Sequence, residues 1–306
     1  MIAMGLLLPG AVVAGENEKK TPFAVEFRTG AEYDSNLTLP EIDASSGQSD
    51  VAAVIDLHLG FDKHGPKGWS FNAAYDFSQS LYRQFDAFNL RIHRGSAGIG
   101  YDFGMLETGV AYQYANAALA GQEYLVLKQL SPHLGKLFGK RLFLRLAWDH
   151  TEEAFAAVPG RSATSDAPSL DAFIFFGGVK SCLVLGYQHV KENAVDDTYD
   201  YTGGKLKAQL TRRFTAGSHD LTLKTALHYE SRTYKAPSPP SLPPLPPIPI
   251  EPRRVDDRYR FEIEFEAVLS RHTFLSARYD YIDNRSTVKS AAYEEHEASI
   301  VFGARL

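Results

Sequence analysis

From Val25 to the C-terminus, apolar and polar residues alternate with a period of two. The pattern is plainest in Arg260–Leu269. There Phe261, Ile263, Phe265, Ala267 and Leu269 share one parity, and Arg260, Glu262, Glu264 and Glu266 take the other. Such a period puts successive side chains on opposite faces of a β-strand. It recurs at Val25, Phe27 and Tyr33 against Glu26, Arg28 and Glu32, and again at Leu221, Leu223 and Leu227 against Thr222, Lys224 and His228. Read throughout, it predicts fourteen strands: 25–34, 53–62, 69–78, 85–101, 105–117, 123–132, 141–149, 169–179, 182–192, 203–214, 219–231, two within 260–286, and 294–306. Most exceed the roughly five or six residues usual in globular proteins. They match the roughly 9–11 residues of a tilted membrane-crossing strand.

The connections carry a second pattern. Long polar links follow the odd-numbered strands: 35–49, 151–168, 193–198 and 233–255. Links after even-numbered strands are short, as at 102–105, 215–218 and 270–272, with 131–140 a moderate exception. Long loops on one rim and tight turns on the other are the outer-membrane arrangement, with turns and both termini on the periplasmic side. The expected fold is therefore all-β: a transmembrane antiparallel outer-membrane β-barrel of fourteen strands, one domain over 24–306.

A soluble sandwich shares the alternation, so other features must decide. Aromatics recur near predicted strand ends (Tyr33, Tyr75, Tyr112, Tyr114, Trp148, Tyr229, Tyr279, Tyr281), as interfacial girdles require. Residues 1–15 read as an export signal, apolar from Ile2 to Ala14 and ending on the small Ala14 and Gly15, although no basic residue opens it. No other stretch reaches the roughly 18 apolar residues of a transmembrane helix. The proline-rich run 236–252 favours polyproline II and reads as an external loop. Outer-membrane lipid and a periplasmic or envelope subunit are the expected partners.

Composition narrows the chemistry. The net charge of -5, without a long basic tract, argues against nucleic-acid binding. The 16 Tyr and 19 Phe favour strands. A single cysteine, Cys182, excludes an intrachain disulfide and reads as a small packed residue. The polar parity supplies the candidate lumen lining: Arg28, Asp56, Arg145, Lys205, Lys207, Lys224, Arg258, Arg260, Glu262, Glu264, Glu266, Arg278 and Asp280. Charges of both signs can pair across a pore, or focus a field on a solute where left unpaired. The ten histidines show no metal-ligand spacing; His58 and His228 read as lumen residues. Neither a Gly-x-Ser-x-Gly elbow nor a His-Glu-x-x-His helix occurs, and Ser181, Ser270 and Ser276 lack a local partner set. No catalytic, cofactor or metal site is expected.

Three segments resemble one family. "GAEYDSNLTLPE", "YQHVKENAVDDTYDYTGGKLKAQLTRRF" and "ARYDYIDNRSTVKSAAYEEHEASIVFGARL" are similar to the first, middle and last strands of barrels in the surface lipoprotein assembly modifier family. Tyr279, Asn284, Arg285 and Ser286 match its penultimate-strand motif. The resemblance spans about residues 24–306 and implies a fourteen-stranded barrel that helps lipoproteins or secreted proteins reach the cell surface. The tetratricopeptide repeats typical of that family do not precede Thr21, so that module is expected to be absent or supplied by another chain. Three functions follow as expectations. The first is assistance to surface assembly. The others are a passive porin for small polar solutes and a structural barrel anchoring an envelope complex.

Overall fold

The alternation is realised as one closed antiparallel sheet. The computed structural model describes residues 22–177, 180–237 and 253–306. The expected signal segment 1–15 lies outside the described residues, as does 238–252 of the proline-rich run.

In chain order the strands are β1 (Phe23–Asp34), β2 (Thr38–Leu39), β3 (Ala44–Ser45), β4 (Asp50–His64), β5 (Trp69–Tyr82), β6 (Leu90–Asp102), β7 (Glu107–Leu119) and β8 (Gln122–Phe138). They continue as β9 (Leu142–Phe155), β10 (Ala163–Phe176), β11 (Ser181–Ala194), β12 (Tyr201–Ala216), β13 (His219–Pro237), β14 (Arg253–Val268), β15 (Thr273–Ser286) and β16 (Tyr293–Arg305). β2 and β3 form a small hairpin inside the first long loop; the other fourteen close into a barrel. Each strand pairs with its sequence neighbour, and β1 completes the ring between β4 and β16. Closure leaves no unpaired edge, the condition for a sheet in lipid.

The faces separate by parity. Leu227, Leu146 and Ile300 point outward and are 60%, 56% and 62% exposed, in a belt shared with Phe27, Leu185 and Phe265. Arg145 and Glu266, strand neighbours of Leu146 and Phe265, are buried inside, as is Asp280. Aromatics mark both margins of the belt. Phe23 and Phe61, and Trp69 edge-on to Tyr101, pack at the short-turn rim, with centroids 5.1 and 5.0 Å apart. Tyr229 and Tyr259 pair at 5.1 Å toward the long-loop rim.

Where the pattern weakens, the strands depart from their predicted bounds. The fourth predicted strand begins at Leu90, because Asp86–Phe88 form a 3₁₀ turn. The moderate link expected at 131–140 is mostly strand, since β8 runs on to Phe138. Pro132 hides this continuation. Proline lacks the donor a ladder needs, and β8 skips pairing with β9 between Leu130 and His133. Pro168 does the same in β10, which skips pairing with β11 between Asp166 and Ser169. Much of the link expected at 151–168 is therefore strand, with only 156–162 between β9 and β10. Ala120 and Gly121 join β7 to β8 in a two-residue turn, both at positive φ (49° and 79°). That connection lies on the rim where only longer links were expected.

Ring closure also depends on glycine at one point. A Cβ on Gly30 of β1 would sit 2.0 Å from the Ile300 carbonyl oxygen of β16. Any side chain there would push the closing strands apart.

Candidate functional site

The loop after β1 does not stand clear of the barrel. It leaves β1 and returns to the adjacent β4, yet Ile42 packs on Tyr124 and Leu125 of β8 and Phe155 of β9. Those strands lie nearly half-way round the ring from β1. Local polar contacts shape the excursion. The Asn36 side-chain oxygen accepts from the Ser45 hydroxyl and the Gly47 N–H, both at 2.9 Å, which sets the β2–β3 hairpin. Pro40 opens a 3₁₀ turn through Ile42, and Asp43 follows at φ 53°. Leu37 is 1% exposed, so the loop brings its own apolar anchor.

Asp43 is the loop's main fastening. Arg254 of β14 donates to its carboxylate through both terminal nitrogens at 2.7 Å. Arg161, between β9 and β10, donates to it as well, and also to the Glu41 carbonyl at 2.9 Å. Each guanidinium lies over a tyrosine ring, Arg161 on Tyr199 at 4.1 Å and Arg254 on Tyr234 at 4.4 Å. Burial disfavours a charged Asp43, but the two arginines outweigh it and hold the carboxyl below its ordinary value. Thr38 ties the loop's start to β16 by donating to Glu295 at 2.9 Å.

Beneath this loop the lumen holds a cavity of ≈ 630 Å³, roofed by Pro40 and Glu41. Of the residues predicted from parity, Arg145, Lys205, Lys207, Arg258, Arg260, Glu262 and Arg278 line it. Glu230 gathers three of the surrounding cations: Arg232 at 2.9 Å, Lys205 at 3.4 Å and Arg258 at 3.9 Å. Asp280, itself outside the cavity lining, takes Arg260 and Arg278 at 2.6 Å each.

Of the remaining predicted residues, Arg28, Lys224, Glu264 and Glu266 form ion pairs beside the cavity. Glu264 meets Lys224 at 3.1 Å and Arg28 at 3.7 Å. Asp56 faces Arg28 across the β1–β4 ladder. Glu266 meets Arg305 at 3.2 Å near the short-turn rim. Phe274, fully buried, has the Arg28 and Arg305 guanidinium groups over its ring at 5.2 and 4.7 Å. His58 bonds Asp76 at 2.6 Å, and His228 lies 3.8 Å from Glu262. Cys182 is half-buried.

One register row is acidic over five strands. Glu262, Asp280, Glu297, Asp34 and Asp50 are successive cross-strand neighbours. Asp34, Glu295 and Glu297 bring carboxylate oxygens within 4.8 Å of one another. Asp34 is partnered by the Asn36 N–H at 2.8 Å, and Asp50 accepts the backbone N–H groups of Gln84 and Phe85.

Sequence periodicity missed Asp43, Arg161 and Arg254 as a group. Asp149 and Asp171 follow the polar parity but were not among the candidate lumen residues. Asp149 accepts from Ser131 at 2.6 Å and from Gln188 at 2.9 Å.

Neither a protein-family model nor a curated protein matches the sequence. Solved structures resemble it in fold. An anion-selective porin from Comamonas acidovorans is 11% identical, with a TM-score of 0.52 over 93% of this chain and 98% of that one. A loop-deletion variant of OmpT, an outer-membrane protein of Vibrio cholerae, is 8% identical with a TM-score of 0.47 (93% and 98% covered). OccK3 of Pseudomonas aeruginosa is 11% identical with a TM-score of 0.44 (93% and 95% covered). At such identities the first of these likenesses supports the barrel fold and nothing finer.

Proposed function

We propose that this outer-membrane β-barrel is a constricted, water-filled channel for small charged solutes, without a catalytic step. The observation that carries the reading is the polar cavity of ≈ 630 Å³ under an inward-folded loop. Its size falls in the range of about 300–1,000 Å³ that suits small molecules. Its walls carry charges of both signs, which replace part of an ion's hydration as it enters. The loop narrows the mouth on the outer side, so free diffusion is restricted to small solutes. The surface-assembly and anchoring readings gain no particular support from this lumen.

Planar-bilayer recording of the purified protein tests the proposal. Small ohmic steps that scale with salt are expected. Asp43→Asn removes the charge that holds Arg161 and Arg254, so larger or noisier steps are expected from that variant. Silence from protein shown to be folded and inserted, with Asp43→Asn silent as well, would reject the channel.

A further inference from the structure

One register row of the cavity wall concentrates positive charge. Across β9 to β14 it reads Arg145, Asp171, Gly186, Lys207, His228 and Arg260. Arg260 is offset by Asp280 and Glu262, at 2.6 and 2.9 Å. Lys207 has no carboxylate within ion-pair reach among the described residues. Arg145 is 6% exposed, and its Nε has no acceptor among the described residues. Its nearest carboxylate, Asp171, is 4.0 Å from Nη1.

Gly186 leaves the space beside Lys207 without a side chain. Asp171 leans into that gap, its Oδ1 2.6 Å from where a Gly186 Cβ would stand. Asp171 is 4% exposed, so it is withdrawn into the wall. Lys207 is only half-buried and lines the open cavity. An ammonium in a confined lumen, with no carboxylate in direct ion-pair contact, attracts an anion more strongly than the same group in bulk water.

We propose that Lys207, on one register row with Arg145 and Arg260, forms a binding subsite in the lumen for a compact anionic group, a carboxylate or phosphate on a small solute. Lys207 makes the direct contact. Arg145 and Arg260 stand farther along the same register row. The inference rests on the channel reading for its biological sense, but it can be tested without current.

Inorganic phosphate is titrated calorimetrically into the detergent-folded full chain. Saturable binding at one site is expected, weakened about tenfold by Lys207→Gln, the loss of roughly one charge-assisted hydrogen bond, and largely restored by Lys207→Arg. Lys128→Gln, on the outward face beside Glu152, should leave binding unchanged. Unaltered heat-modified migration in gels would show that each variant folds. No saturable binding by the parent protein, or equal affinity in Lys207→Gln, overturns the subsite. Conductance without Lys207-dependent binding rejects the subsite and keeps the channel. Binding without conductance rejects the channel and keeps the subsite.

Discussion

Among single residues, those sharing a parity do not share a task. Glu262, Glu264 and Glu266 alternate in one strand, yet Glu262 lines the cavity while the other two serve ion pairs beside it. Glu262→Gln is therefore expected to shift ion selectivity toward anions, read as a change in reversal potential under a salt gradient. Glu266→Gln should leave that potential alone and instead lower stability by about 1 kcal/mol through the loss of Arg305, read as earlier unfolding in heat-modified gels. A reversal potential that moves with Glu266 and not with Glu262 would contradict this division. Which residues of a strand share a face was legible because a strand cannot change the side it shows without a bulge. The Asp43 fastening was not. Its partners lie 118 and 211 residues away, on a loop and a strand end, and no local period connects such positions.

At the scale of the element, strand identity was legible and strand length was not. β14 carried its period without a fault from Arg260 to Ala267. β8 lost it at Pro132, where a missing donor interrupts the ladder while the strand continues. The β7–β8 turn shows the same limit, because two residues at positive φ carry no hydrophobic signal. The face assignment itself is open to test. Phe265 lies near the middle of the outward run from Tyr259 to Leu269 and is 40% exposed to the membrane side. Phe265→Arg should destabilise the barrel by roughly 2–4 kcal/mol, the cost of a midplane charge facing lipid. Phe265→Leu should cost much less. Equal heat sensitivity of the two variants would reverse the assignment.

For the whole molecule, the first loop couples the mouth to pH. Asp43 ionises below its ordinary value in the folded state, so its contacts stabilise the inward loop fully above a pH of about 4. That contribution fades as the pH falls through the depressed value. Opening events in single-channel records should therefore become frequent only on strong acidification. In Asp43→Asn this onset should vanish, because the side chain no longer titrates; an unchanged acid response in that variant would assign it to other groups.

A ring of fourteen strands has little to keep its cross-section circular. Squeezed from the side, such a ring flattens more readily than it shortens. Arg254 belongs to the wall and Arg161 to the end of another hairpin, and Asp43 holds both from a segment that springs from β1. The loop therefore acts as a cross-brace, a strut joining three points of the hoop. Lateral pressure from the surrounding lipid would be carried partly by these two ion pairs, and releasing them would let the outer end of the barrel grow oval as well as wide.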